Sequence, residues 1–115
     1  ETSSLFGNEK DNSFKSTLGA IYQTFDGKDV YPTLEEKAAN LLYMLVKNHS
    51  FNDGNKRIAA ALFIYFLEKN NLLFDSNKNP IIDNNTLAAM TLMIALSKPE
   101  EKEIMCLLVL NMLNK

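Results

Sequence analysis

The spacing of apolar residues along the chain predicts a series of helices separated by polar stretches. A short helix is expected at residues 14–18, and a longer one after Thr33, where apolar residues recur every three or four positions on one face. The members of that face are Ala38, Leu41, Leu42 and Leu45. Thr33 and Glu36 form a capping-box signature, which predicts that this helix begins directly after Thr33.

Three further helices are expected in the second half of the chain. The helix over about residues 55–70 contains the apolar run IAAALFIYFL, and a helix that is apolar all round is usually buried. We therefore expect it to be the central helix of the domain. Asp83 can cap a helix that ends at Leu96, and a capping box at residues 97–100 predicts a last helix ending at about Leu113.

A small β-hairpin is expected between the first two helices. Two β-prone runs flank Asp26-Gly27, and an Asp-Gly pair supplies the positive φ angles that a two-residue hairpin turn needs, so the hairpin should span residues 21–31. The full pattern predicts an all-α fold, a compact helical bundle with one small β-hairpin. We expect a flexible lead-in at residues 1–13 and a single domain at residues 14–115.

Composition and charge restrict the classes of function. The 115 residues carry a net charge of -2, so no basic excess is available to neutralise phosphates, and we expect no direct nucleic-acid binding by this domain. The longest apolar run is too short to cross a membrane, and a single cysteine, Cys106, suits a soluble protein of the reducing cytoplasm. The first residue is Glu1 rather than methionine, which is compatible with a fragment of a longer protein.

The strongest chemical signal is the segment HSFNDGNKR at residues 49–57. Gly54 and Asn55 lie where a loop becomes a helix, and the free backbone N–H groups of a helix N-terminus attract phosphate. Lys56 and Arg57 follow in the first turn, where the helix dipole disfavours positive charge. A bound phosphate would remove that conflict.

A base and a metal ligand lie in the same segment. His49 is the only histidine of the chain, and Asp53 can hold Mg²⁺, which in phosphate sites usually binds one or two carboxylates. Simpler interpretations exist: Lys47 and His49 can complement the C-terminus of the preceding helix, Asp53 can be an N-cap, and Lys56 and Arg57 can be solvated surface charges. Phe51 is a core anchor under either interpretation. Their combination within nine residues favours a phosphoryl-type site.

This segment closely resembles the signature of the Fic/Doc family, approximately H-x-F-x-(D/E)-(G/A)-N-(G/K)-R. The resemblance implies a Fic fold that modifies a hydroxyl group of a target protein with ATP, or another nucleoside triphosphate, and Mg²⁺. His49 would be the general base that takes a proton from a Ser, Thr or Tyr hydroxyl, Phe51 would anchor the loop, and Asp53 would bind Mg²⁺. Four residues would hold the phosphates of the nucleotide: Gly54, Asn55, Lys56 and Arg57.

The resemblance also implies that the hairpin is the family's flap, which pairs with an extended segment of the target protein. The flap residues expected to dock the target are Gln23, Thr24, Phe25, Asp26, Gly27 and Lys28. The alternative is a hairpin that only covers the core.

Two departures from the AMP-transferring Fic pattern, G-N-G-R-x-x-R, concern the reaction. Lys56 replaces the second glycine and Ala60 replaces the second arginine, as in the death-on-curing (Doc) toxins, which have N-K-R-T-A and resemble kinases. Gly54 is the AMP-type residue, because Doc toxins often have alanine there. We favour transfer of the γ-phosphate over AMP transfer. The alternative is a catalytically lapsed nucleotide-binding or regulatory module; Ala60 favours it, whereas His49 and Asp53 oppose it.

Many Fic proteins also carry an inhibitory (S/T)-x-x-x-E-(G/N) segment, whose glutamate pairs with the second arginine of the motif. The nearest approach here, residues 97–102, ends in Lys102, and Ala60 stands in place of the arginine. We therefore expect any inhibition to come from a partner chain in trans or from sequence outside residues 1–115.

Overall fold

A computed structural model describes residues 14–47 and 55–114, with the backbone alone at residues 55 and 56. Helix α1 occupies residues 14–21. The other elements are strands β1 (Thr24–Phe25) and β2 (Lys28–Asp29), helices α2 (Leu34–Lys47), α3 (Asn55–Lys69) and α4 (Asn84–Leu96), a 3₁₀ turn (Pro99–Glu101) and helix α5 (Lys102–Leu113). The predicted all-α bundle with one hairpin is confirmed, whereas the predicted lead-in at residues 1–13 lies outside the described residues.

Helix α2 begins where the sequence predicts. The backbone N–H of Thr33 donates to Glu36 Oε1, and the backbone N–H of Glu36 donates to Thr33 Oγ1, both at 3.0 Å. This reciprocal pair satisfies two N–H groups that the first turn would otherwise leave free. The predicted buried face is also confirmed, because each of its four residues is fully buried: Ala38, Leu41, Leu42 and Leu45.

Helix α2, rather than α3, is the centre of the bundle. It packs against α3, α4 and α5, whereas α3 packs mainly against α2 and α4. The expectation that α3 is buried all round is therefore wrong: Phe63 is fully buried on one side, but Tyr65 on the other side is 47% exposed. The apolar run includes small alanines and a tyrosine whose hydroxyl can contact water, so it tolerates a solvent-facing side.

The two last helices begin with different capping groups. Asp83 caps α4 as predicted, since its Oδ1 accepts a hydrogen bond of 2.7 Å from the backbone N–H of Thr86. The cap predicted at residues 97–100 is displaced, because the Ser97 hydroxyl donates to the Ile94 carbonyl at the end of α4. The backbone N–H of Lys98 instead donates to Glu101 Oε1 at 2.7 Å, and α5 follows the 3₁₀ turn. None of the described helices combines the length and apolarity that a bilayer span requires.

Candidate functional site

The predicted hairpin turn is confirmed, and the strands on either side of it are short. Asp26 and Gly27 have φ angles of 56° and 80°, the positive values that a two-residue turn requires. Thr24 pairs with Asp29 and Phe25 with Lys28. The hairpin begins later than predicted, because α1 extends to residue 21, three residues beyond the expected end of that helix.

The hairpin presents an exposed surface. Residues 22–30 are all exposed, and Phe25 is 80% exposed, the highest value among the large apolar side chains that the structure describes. Within the described residues the sheet has only these two strands, so the outer edge of each strand has no neighbouring strand. Such an edge can pair with an extended peptide, which is the geometry that target docking by the flap requires.

The base of the hairpin is held by a lysine that sequence analysis missed. The Lys37 side chain, on α2, is 4% exposed, and its Nζ lies 3.1 Å from Asp29 Oδ2 in β2. It also donates to the Tyr31 carbonyl and lies 5.3 Å from the centroid of the Tyr22 ring. In the sequence, a lysine that follows two glutamates in the first turn of a helix indicates a solvated charge. No local sequence pattern shows that this lysine is buried instead.

At the other end of α2, Lys47 joins the helix to α4. Its Nζ donates to the Ser97 carbonyl at 2.6 Å and to the Ala95 carbonyl at 3.5 Å. The simpler interpretation, in which Lys47 complements its own helix, therefore needs correction, since the carbonyls it binds are at the C-terminal end of α4. The residue directly before the motif loop is thus fixed to a neighbouring helix.

The structure describes the motif only from the start of α3. His49, Phe51, Asp53 and Gly54 lie outside the described residues, so their predicted roles stay predictions, as do those of the Asn55 and Lys56 side chains. Helix α3 begins at Asn55, as the sequence predicts.

Two features of the α3 N-terminus suit an anion. Arg57 is exposed in the first turn, and that turn has no acidic residue, so positive charge lies at a helix end of the kind that attracts anions. This arrangement fits the phosphates of a nucleotide. Ala60 is half-buried and packs against the core, so it supplies no second cation one turn later. No group of three or more potential metal ligands occurs among the described residues. The predicted Mg²⁺ ligand, Asp53, lies outside the described residues.

A groove of about 530 Å³ lies between α2 and α5. Cys106 lines it and donates through Sγ to Asn40 Oδ1 at 3.6 Å. Burial raises the pKa of the Cys106 thiol, and the nearby Lys102 charge opposes this shift more weakly. The α2 residues that line the groove lie in the first half of the helix, whereas the motif follows its last residue. None of the described residues that line the groove belongs to α3, whose N-terminus is part of the predicted phosphate site.

Comparison with known proteins agrees with the motif. The model of the Fic/DOC family matches residues 2–67, which include the hairpin, α2, the segment 49–57 and most of α3. A stretch of 47 residues is 51% identical to a protein named Toxin Doc from Mycolicibacterium smegmatis (strain ATCC 700084 / mc(2)155). This match covers 41% of the chain and 36% of that relative's length, and no solved structure gives a significant match. Since the family match extends over more than half of its residues, the chain belongs to the Fic/DOC family.

Proposed function

We propose that this domain is a nucleotide-dependent transferase that modifies a hydroxyl side chain of a target protein. The observation that carries the proposal is the segment HSFNDGNKR, which lies inside the family match and leads into α3 at Asn55. The exposed Arg57 and the absence of acidic residues from the first turn of α3 support phosphate binding at that helix end.

In this proposal four side chains of the motif have separate roles: His49, Phe51, Asp53 and Arg57. His49 accepts the proton of the target's Ser, Thr or Tyr hydroxyl and so makes its oxygen nucleophilic, a contribution of about 10²- to 10⁴-fold to the rate. Asp53 holds Mg²⁺, which neutralises charge on the phosphates when it is bound. The α3 N–H groups and Arg57 orient the phosphate groups, and Phe51 anchors the loop.

We favour transfer of the γ-phosphate over transfer of AMP. Lys56 adds a cation where AMP-transferring enzymes have glycine, and Ala60 leaves no second cation to hold the outer phosphates in the AMP-transferring orientation. The half-buried position of Ala60 against the core supports this argument. Gly54, the AMP-type residue of the loop, is the feature that favours AMP transfer.

The flap supplies the docking surface for the target in this proposal. An extended target segment pairs with a free edge of the hairpin, and Phe25 offers an apolar contact beside that edge. The flap residues proposed to dock the target are Gln23, Thr24, Phe25, Asp26, Gly27 and Lys28.

The name of the relative, Toxin Doc, supports the proposal that this domain acts as a toxin. We also propose that a partner chain inhibits it in trans. The segment at residues 97–102, whose sequence is the most similar to an inhibitory motif, supports control from outside the chain. Its Glu101 carboxylate already accepts the Lys98 N–H at 2.7 Å, and Ala60 cannot form the ion pair that such a glutamate makes.

In the decisive experiment, the protein is incubated with Mg²⁺, cell lysate and ATP that is labelled on either the α- or the γ-phosphate. Label on protein from γ-labelled ATP alone is expected, with none for His49→Ala and an undiminished amount for Lys69→Met, a control at the far end of α3. Label from the α-phosphate, with a mass increase of one AMP on the target, would refute the kinase-like reaction. Nucleotide binding without any label on protein would identify a lapsed module.

A further inference from the structure

The flap has no buried side chain of its own. Residues 22–30 are all exposed, and the first buried or half-buried side chains on either side are Ile21 and Tyr31. A short two-stranded hairpin is at best marginally stable in water without packing against other elements. Contacts at its base must therefore hold it in one orientation.

Lys37 supplies such a contact from the first turn of α2. Its side chain is 4% exposed, and burying an ammonium group is costly unless hydrogen bonds and an opposite charge compensate it. The compensating groups are the Asp29 carboxylate, at 3.1 Å, and the Tyr31 carbonyl, and the Tyr22 ring lies beside them. All three belong to the hairpin or to the residues that flank it.

This arrangement couples the position of the hairpin to the solvation of one buried charge. If the hairpin swings away, Asp29 and the Tyr31 carbonyl leave Lys37, and the ammonium group loses its opposite charge and its hydrogen bonds. The Asp29 side chain is 47% exposed, so the carboxylate itself is not trapped in either position. The observed orientation is therefore the one in which the buried ammonium group keeps its opposite charge.

We propose that Lys37 is a positioning residue that holds the flap in the orientation in which it receives the target protein. The proposal rests on the function proposed above, because a fixed edge matters only if a target segment pairs with it. Lys37 touches neither the nucleotide nor the reacting hydroxyl in this scheme. It acts on the target through Asp29 and the backbone of Tyr31.

Two variants and one matched control test the proposal. Lys37→Met removes the ammonium group and keeps most of the aliphatic stem, so no charge is left buried, whereas Asp29→Asn removes only the half-exposed opposite charge and leaves the Tyr31 carbonyl to accept from Lys37. Lys69→Met is the control, because Lys69 also lies beside an aromatic ring, 5.7 Å from the Tyr65 centroid, but has no ion pair with the hairpin.

The first measurement is hydrogen exchange, including the Val30 N–H that bonds to the Gln23 carbonyl at 3.1 Å. Hairpin amides should exchange at least about tenfold faster in both variants, whereas amides of α2 and α4 should keep their rates. Wild-type exchange rates in the hairpin of both variants would overturn the proposal. This measurement does not depend on any transfer activity.

The second measurement is the initial rate of label transfer from γ-labelled or α-labelled ATP, whichever the wild type uses, to cell lysate. The lysate concentration that gives half the maximal rate should rise about tenfold in both variants. The ATP concentration that gives half the maximal rate should stay unchanged. Equal increases for lysate and ATP would mean that Lys37 is merely structural and would overturn the proposal. A wild-type protein that transfers no label would refute the proposed function, and the exchange rates alone would then decide whether Lys37 fixes the flap.

Discussion

Replacing Lys47 by methionine should destabilise the bundle and impair the motif loop, because Lys47 joins α2 to α4 directly before that loop. A hydrogen bond from a charged group contributes about 1.5–3 kcal/mol, and a cation at a helix C-terminus a further 0.3–1 kcal/mol or so. The 2.6 Å bond to Ser97 should account for most of this, since the 3.5 Å contact with Ala95 is at the outer limit for a hydrogen bond. We expect a loss of about 2 kcal/mol, or about 8 °C in melting temperature.

Urea unfolding followed by circular dichroism measures this loss, with Lys69→Met as the matched control. Both lysines lie in the last turn of their helices, but the described contact of the Lys69 ammonium group is with the Tyr65 ring of its own helix. We therefore expect the control to lose less than about 1 kcal/mol. Equal losses would show that Lys47 acts only through the dipole of α2 and would refute the link to α4. Label transfer by Lys47→Met should also fall further than its folded fraction.

Three further predictions concern the motif, the flap and the buried thiol. His49→Ala should abolish label transfer to protein while its melting temperature stays close to that of the wild type, and full transfer would remove its role as the base. Replacing Asp26-Gly27 by Pro-Pro, which cannot adopt φ angles of 56° and 80°, should lower target modification more than nucleotide binding; equal losses would indicate misfolding. Burial raises the pKa of the Cys106 thiol above its ordinary value of 9.0, so the folded state holds the thiol proton more tightly than the unfolded state does. The stability that comes from this difference is lost as the pH rises above 9.0. Between pH 7 and 10, the urea concentration at the unfolding midpoint should therefore fall less steeply with pH for Cys106→Ala than for the wild type. Equal slopes for the two proteins would contradict this prediction.

The features that the sequence predicted correctly have local causes. The Thr33–Glu36 capping box, the Asp83 cap and the Asp26-Gly27 turn each depend on residues at most three positions apart, so their interactions form wherever the segment is placed. Helix periodicity likewise identified the face of α2 that is buried. The resemblance to the Fic/Doc signature then supplied the family, which the match over residues 2–67 confirms.

The features that the sequence did not predict depend on partners far along the chain. The apolar run in α3 indicated a central helix. The number of helices that contact a given helix is decided by how all the helices pack together, and α2 contacts more helices than α3 does. The start of α5 was misplaced because the Ser97 hydroxyl binds the end of α4 rather than the N-terminus that follows. A capping pattern shows which bonds a residue can make, and the tertiary structure decides which of them it makes.

Both lysines that hold the proposed site bind backbone carbonyls, which no sequence pattern marks. Lys37 binds the carbonyl of Tyr31 at the base of the flap, and Lys47 binds that of Ser97, fifty residues along the chain. They lie ten positions apart on α2, about 15 Å along its axis, and share no partner, so they should act independently. Since α2 is the central and most buried helix, it is the element from which one lysine contacts the base of the flap and the other binds the C-terminal end of α4, at the last residue that the structure describes before the motif.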